Sequence, residues 1–508
     1  MLSFIARGAV VATISILAIT GCNRRVVPEA SAEVAAVLAG SPVASGPNSA
    51  KVWTDVKAFY AKRQGDPAWI DKRKMSKGAD AALETIRTAP DHGLVAADYD
   101  EPKLTQLFAA LEDGKEKAPD RLQQLADADV RLTTALLSLG RDVAIGRTTP
   151  AALSATWKAR RKAPAFADTL ADSVDGDIKG WLASMAPQHP EYAALQKALA
   201  DLRATAVAKP GTPAATFYDT KTPAGIKAFQ EHHGLKVTGT IDPPTKAAMA
   251  VPIEDRIRQV EANLERWRWM PDDFGKRHFM VNIPLFHVYA REDGKVVRDI
   301  RVVVGKPGNN TPIFSEMMST VVFSPYWNIP DSIVEGETAP AMAKNPQYLA
   351  KNNIEILRVG PSGSSKVDPS DVNWDDPAEL KQLAFRQLPG ASNALGHVKF
   401  LFPNEHNVYL HDSPADELFG RTGRAFSHGC VRVEEPETLA KYVLRDQPEW
   451  TDEKIFTAMK SGVEQHVALK EKIPVHIVYF TAWVDEKGGL HFQPDIYGYD
   501  TKQLASKE

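Results

Sequence analysis

The sequence has almost no cysteine: Cys22 and Cys430 are the only two in 508 residues. Two thiols cannot build a disulfide framework, so packed cores must hold the chain together. It also lacks any strong excess of charge. Lys and Arg number 61 against 64 Asp and Glu, a net of −3 with no long basic run. Nucleic-acid binders draw their affinity from clustered positive charge, so that class is excluded. General disorder is excluded as well, because 44% of the residues are hydrophobic and only 25% are charged. Past the N-terminus no segment approaches the roughly 20 apolar residues of a membrane helix. A single compact domain is excluded by length alone; at about 100–200 residues per domain, three are expected.

What is present begins with Leu2 to Ile19, mostly apolar, with one positive charge at Arg7 and no acid. Its richest stretch, Ala9 to Ile19, suits the core of a signal peptide better than a membrane span. The run Ile19-Thr20-Gly21-Cys22 resembles a bacterial lipobox, which implies removal of residues 1–21 and lipidation of Cys22. The expected product is a soluble body on a lipid tether, with Cys430 as its one free thiol. Asn23 points to the outer rather than the inner membrane. Residues 22–50, rich in Ala, Ser, Pro and Val, read as a linker.

Residues 51–205 carry helical spacing, with Leu122, Leu125, Val130, Leu132, Leu136, Leu137 and Leu139 among the apolar positions. Trp53, Phe59, Tyr60 and Trp69 read as core, and no nucleophile or metal spacing occurs here; a helical scaffold domain is expected. Pro210-Gly211-Thr212-Pro213 breaks the pattern. Residues 206–250 then read as helix, glycine stop at Gly234, glycine turn at Gly239 and second helix. The run Ala228-Phe229-Gln230 with His233-Gly234-Leu235 is similar to the small three-helix peptidoglycan-binding domain, although Thr238-Gly239 replaces its usual Asp-Gly. His232 and His233 read as a hydrated helix end rather than a metal site. A connecting helix is expected within 251–276, with Ile257, Val260, Leu264 and Trp267 on one face and Arg256, Arg258, Glu265 and Arg266 elsewhere. From residue 277 to 480 the period shortens to that of strands, with turns at Asp293-Gly294 and Gly308-Asn309. Residues 331–395 read as an insertion, of the size that functional lids have, and 481–508 as a C-terminal tail. The expected fold class is multidomain α+β: helical scaffold, small three-helix domain, and a mainly-β domain with an inserted lid.

The sharpest chemical signal is Ser427-His428-Gly429-Cys430-Val431-Arg432, with His411 nineteen positions before the thiol. A cysteine becomes a strong nucleophile when an imidazole within reach raises its thiolate fraction. Glycine beside it lets a carbonyl approach backbone N–H groups that can hold an oxyanion. The bland alternative, a small buried cysteine beside core histidines, is weakened by its being a free thiol in an oxidising compartment. A metal reading from His406, His411, His428 and Cys430 fails for want of CxxC or HExxH spacing.

His411, fifteen intervening residues and then Ser427-His428-Gly429-Cys430 is similar to the signature of the YkuD-type L,D-transpeptidases. Gly305-Lys306-Pro307 and Thr311-Pro312 resemble that family's strand and turn. Ser324-Pro325-Tyr326-Trp327-Asn328-Ile329-Pro330 and Phe400-Leu401-Phe402-Pro403-Asn404 resemble its YcbB-like branch, in which Arg432 replaces the more frequent Asn. The resemblance implies a periplasmic enzyme that forms 3→3 peptidoglycan cross-links. Cys430 would attack the third stem residue, diaminopimelate, and release terminal D-Ala; the amine of a neighbouring stem would resolve the acyl-enzyme. His411 would be the general base and acid, with Gly429 and Cys430 as oxyanion donors and His428 and Ser427 shaping the site. Arg432 would meet a substrate carboxylate or serve as a brace. Tyr326, Trp327 and Tyr409 would line the substrate groove, and Phe402 would be core. No metal or organic cofactor is implied, and carbapenems would acylate the same thiol. Stem peptides and glycan are the implied partners, with the membrane reached through the lipid anchor. Two rivals keep the fold: a carboxypeptidase, amidase or lipoprotein-attaching enzyme using the same thiol, and a binding module with a dead site. The intact site residues argue against the second.

Overall fold

The computed structural model describes residues 28–42, 48–112, 120–158, 161–361 and 363–505. The expected signal peptide and Cys22 lie outside the described residues, as does part of the linker. Among the described residues no helix is long and apolar enough to cross a membrane. The chain divides into two compact units. One comprises the described residues up to Ile86 with Tyr99–Ser138 and Ala167–Ile178; the other comprises Arg87–Asp98, Leu139–Phe166 and Lys179 onward.

The first unit is helical, and Trp53, Phe59, Tyr60 and Trp69 are buried in its core as expected. A polar anchor runs through that core. The carboxylate of Asp129 accepts the Tyr60 hydroxyl at 2.5 Å and the backbone N–H groups of Ala68 and Trp69 at 3.1 and 2.6 Å. This fixes the turn that leads into a small antiparallel pair, β1 (Ile70–Asp71) and β2 (Lys74–Met75).

In the second unit, helices Pro223–His232 and Pro243–Met249 flank a turn in which Gly234 and Gly239 have φ of +60° and +77°. Both positions need the left-handed region that glycine tolerates. Buried Gln230 holds the turn: its carbonyl accepts the N–H groups of Thr238 and Gly239 at 2.8 and 2.9 Å, and its amide donates to Thr240 O and Thr245 Oγ1 at 2.8 and 3.0 Å. His233 is not at a hydrated helix end. It is buried and its ring stacks on Phe229 at 3.9 Å, because the apolar ring face finds a better neighbour than water.

Helix Ile253–Trp267 corrects a second expectation. Glu265 and Arg266 are fully buried rather than solvated. Glu265 pairs with Arg268 at 2.5 Å, and Arg266 pairs with Asp500 at 2.6 Å. Both charges are enclosed because each finds a partner there.

The β domain contains β3 (Arg277–Asn282), β4 (His287–Glu292), β5 (Lys295–Gly305) and β6 (Phe314–Phe323). After the insertion come β11 (Val398–Leu401), β12 (Leu410–His411), β13 (Ala425–Ser427), β14 (Val431–Val433) and β15 (Gln465–Val478). Pairing runs β5-β14-β12-β11-β6-β15-β3-β4 and returns to β5, so the sheet closes on itself, with β13 added along the end of β5. Inward residues such as Val302, Val321, Phe400, Leu410, Val431 and Val475 fill the interior, which leaves a packed core and a rigid wall for the site.

The insertion is folded. Strands β7 (Trp327–Asn328), β8 (Ile354–Gly360), β9 (Gly363–Val367) and β10 (Leu383–Gln387) form a separate sheet in the order β7-β10-β8-β9. It has its own core of Ile329, Val334, Met342, Leu349, Ile356 and Phe385, among others. Its first strand starts at Trp327, four residues before the expected boundary at 331.

The segment expected to be a tail is also folded. It forms β16 (Ala482–Val484), β17 (Leu490–Phe492) and helix Tyr499–Ala505. Asn263 and Gln259 on helix Ile253–Trp267 donate to Thr481 Oγ1 and Gln493 O at 2.9 and 3.0 Å, so this stretch is bonded into the unit.

Candidate active site

Strands β12 and β14 run parallel, with Leu410 opposite Val431 and His411 opposite Arg432. On the other side of β12, antiparallel β11 places Lys399 opposite His411. Opposed residues share a face of a sheet, and alternation carries Tyr409 and Cys430 to that face too. Lys399, His411 and Arg432 therefore form a row across three strands, with Tyr409 and Cys430 one pleat away. Leu410 and Val431 point into the core and anchor the row from behind.

His411 is 4% exposed, and its Nδ1 lies 2.5 Å from the carbonyl oxygen of Asp412. A carbonyl only accepts, so Nδ1 carries the proton and Nε2 keeps a lone pair. Burial first, then the charge of Arg432 and, more weakly, of Lys399, pushes the imidazole pKa down to about 3. Cys430 is half-buried, with its thiol 3.8 Å from the carbonyl oxygen of Asn407. Burial raises the thiol's pKa above its ordinary value; the backbone of Tyr409 and the charge of Arg432 oppose that rise. At neutral pH both groups are uncharged, which suits a base taking a proton at the moment of attack rather than a preformed ion pair.

The turn before the thiol is held from two sides. Ser427 Oγ donates to the carbonyl of Cys430 at 2.5 Å and accepts the N–H of Gly429 at 3.1 Å. Thr311 Oγ1 donates to the carbonyl of Gly429 and accepts the N–H of Gly305, both at 2.8 Å. Gly429 has φ of +120°, a conformation closed to residues with a side chain. The nearest atoms to a Cβ there would be 3.9 Å away, so conformation rather than space selects glycine. The Gly429 N–H, one of the two expected oxyanion donors, bonds to Ser427 Oγ within the turn.

Arg432 Nε is buried and has no hydrogen-bond partner among the described residues. His428 is exposed and its Nε2 lies 2.9 Å from Glu337 Oε1 of the insertion. Tyr409 packs edge-on to His411 at 5.7 Å, beside the thiol. Tyr326 lies under the guanidinium of Arg386, 4.3 Å from its ring centre, and Trp327 packs on the insertion's core. Phe402 is buried in the main core.

Sequence reading missed Lys399, Glu337 and Tyr497, and it named Thr311 without its hydrogen bonds. The Tyr497 hydroxyl donates to Gly305 O at 2.6 Å and accepts the N–H of Thr311 at 3.1 Å, bracing the same turn from the C-terminal segment. Asn310 Nδ2 donates to the Tyr499 hydroxyl at 3.2 Å beside it. Only Thr311 carried a signal, as part of the Thr-Pro turn.

Three family descriptions match this chain. The "Scaffold domain" matches residues 54–199, the "Putative peptidoglycan binding domain" residues 188–249, and the YkuD "L,D-transpeptidase catalytic domain" residues 276–465. A Haemophilus influenzae protein named "Putative L,D-transpeptidase" is 35% identical over 243 residues, 48% of this chain and 48% of that protein. The match thus spans about half the length of that curated relative. A solved L,D-transpeptidase from Mycobacterium smegmatis aligns at 13% identity and a TM-score of 0.20, covering 40% of this chain and 58% of that one, which is too low a likeness to support inference.

Proposed function

Since the chain belongs to the YkuD family of L,D-transpeptidases, with scaffold and peptidoglycan-binding domains beside the catalytic one, we propose that it cross-links peptidoglycan stem peptides through an acyl-enzyme on Cys430. The thiol proton passes to His411 Nε2 as sulfur attacks the carbonyl of the third stem residue. The bond to terminal D-Ala breaks, and the leaving amine takes that proton. The side-chain amine of a diaminopimelate on a second stem then attacks the thioester, its proton passes through His411 to the departing sulfur, and a 3→3 amide results. Cys430 N–H faces the developing oxyanion, Arg432 meets a stem carboxylate, and the insertion acts as the lid. The protein works outside the cytoplasm, tethered through a lipid on Cys22 and held to the wall by residues 206–250.

One observation carries the reading: His411 is locked in the tautomer that leaves Nε2 unprotonated, on the same sheet face as the thiol. The test is muropeptide analysis after the protein acts on purified tetrapeptide-rich wall. New 3→3 dimers are expected with the parent and none with Cys430→Ala. Equal dimer yields from both would overturn the proposal, and stem tripeptides without dimers would turn it into a carboxypeptidase.

A further inference from the structure

His232 closes helix Pro223–His232, and its neighbour His233 turns inward, so the adjacent pair cannot act together. Folding supplies His232 with other partners. Asp485 follows β16 and His491 lies in β17, and ligand-type atoms of all three residues fall within 4.8 Å of one another. His491 Nε2 is 2.8 Å from Asp485 Oδ2. The rings of His232 and His491 are 4.3 Å apart.

The surroundings orient each of the three. Asp485 Oδ1 accepts the backbone N–H groups of Lys487 and Gly489 at 2.9 and 2.8 Å, which leaves Oδ2 turned to the histidines. The Tyr218 hydroxyl is 3.1 Å from His232 Nδ1 and also reaches Leu490 O at 3.4 Å. With the tyrosine proton directed to that carbonyl, its oxygen accepts Nδ1–H, and the lone pair of His232 sits on Nε2. His491 is held by stacking on Trp483 at 4.9 Å between ring centres. Glycine at 489 keeps the centre open: a Cβ there would come within 2.9 Å of His232 Cε1 and 3.0 Å of Asp485 Oδ2.

We propose that His232, Asp485 and His491 form a site for a divalent transition metal, zinc foremost, which ties the peptidoglycan-binding segment to the C-terminal hairpin. Two imidazoles and one carboxylate suit zinc better than magnesium or calcium, which prefer oxygen ligands. Three protein ligands on half-buried residues leave a fourth position to water.

The experiment is equilibrium dialysis against zinc chloride, using the full chain with Cys22→Ser and Cys430→Ala so that no thiol contributes. About one zinc per chain is expected. Asp485→Asn and His491→Ala should weaken binding at least about 100-fold. Gly489→Ala, which fills the centre, and Tyr218→Phe, which frees His232, should each weaken it about 10- to 100-fold while leaving all three ligands in place. Zinc should raise the melting temperature of the parent above its own value in chelator, and leave that of His491→Ala at its own value in chelator. The proposal is overturned if the parent binds no zinc, or if a His232→Ala/His491→Ala variant binds it as the parent does. Unchanged binding by Gly489→Ala would also overturn it, and that variant keeps the test open should a ligand variant misfold.

Discussion

At Cys430 and His411, burial acts on both groups in the direction that keeps them neutral. A thiol raised above its ordinary pKa has little thiolate at pH 7, so the base should matter more than beside an exposed cysteine. His411→Ala should slow acylation by a carbapenem about 10²- to 10⁴-fold at pH 7, with recovery only at strongly alkaline pH. Intact-protein mass against time, at a series of pH values, checks this. In the parent, the acid limb of the same profile should lie well below pH 6.5, since His411 is pushed down to about 3. Arg432 is the second cause of that depression. Arg432→Gln should therefore move the limb to higher pH, whereas Arg432→Lys, which keeps the charge, should move it less. Part of this row carried a signal in the sequence: the Ser-His-Gly-Cys run with its upstream histidine resembles a family signature, and that resemblance is what implies a thiol and its base. Lys399 carried none. It meets His411 only through strand register, and nothing local marks one lysine in a strand as facing a histidine.

Among the elements, strands rich in β-branched residues and the helix between Ile253 and Trp267 were legible from periodicity. Partners distant in sequence were not. Glu265 and Arg266 read as surface residues because Asp500 and Thr148, which help enclose them, are more than a hundred residues away. The C-terminal segment read as a tail because its hold on the Gly305–Thr311 turn depends on hydroxyls about 190 residues distant. Tyr497→Phe removes one such hydroxyl and leaves Gly305 O and Thr311 N–H without it. A loss of about 1–3 kcal/mol in denaturant unfolding is expected, with a fall in kcat larger than any rise in KM. In the small helical unit, Gln230→Leu removes the buried amide that accepts the N–H groups of Thr238 and Gly239 and donates to Thr240 O and Thr245 Oγ1, and leucine can do neither. Sedimentation with insoluble peptidoglycan should weaken sharply, while turnover of a short soluble tetrapeptide should change much less. Equal loss of both would mean that this unit serves the catalytic domain instead.

Over the whole molecule, buried and half-buried histidines held below their ordinary pKa set the response to acid. His92, His233 and His411 are pushed down to about 3 and His189 to about 4, with burial the leading cause in each. An unfolded chain takes up protons at these rings as pH falls through about 6.5, and the folded chain does not. Protons therefore favour the unfolded state, and the stability these groups confer above pH 6.5 is lost progressively down to about pH 3–4. Each ring contributes at most about 1.4 kcal/mol per pH unit within that window. All four belong to the second compact unit. Urea unfolding between pH 7 and 4.5, followed by its tryptophan fluorescence, should show the midpoint falling steadily; a flat midpoint would mean that the rings are solvated.

The brace from Tyr497 and Tyr499 onto Gly305, Asn310 and Thr311 has a consequence in time. A ribosome delivers those two tyrosines almost two hundred residues after the turn that they hold, and more than sixty after the thiol. A nascent chain thus carries its cysteine well before the peptide beside it is pinned. A product cut short before residue 497 would bear every residue of the signature on a turn that lacks both of these hydroxyls.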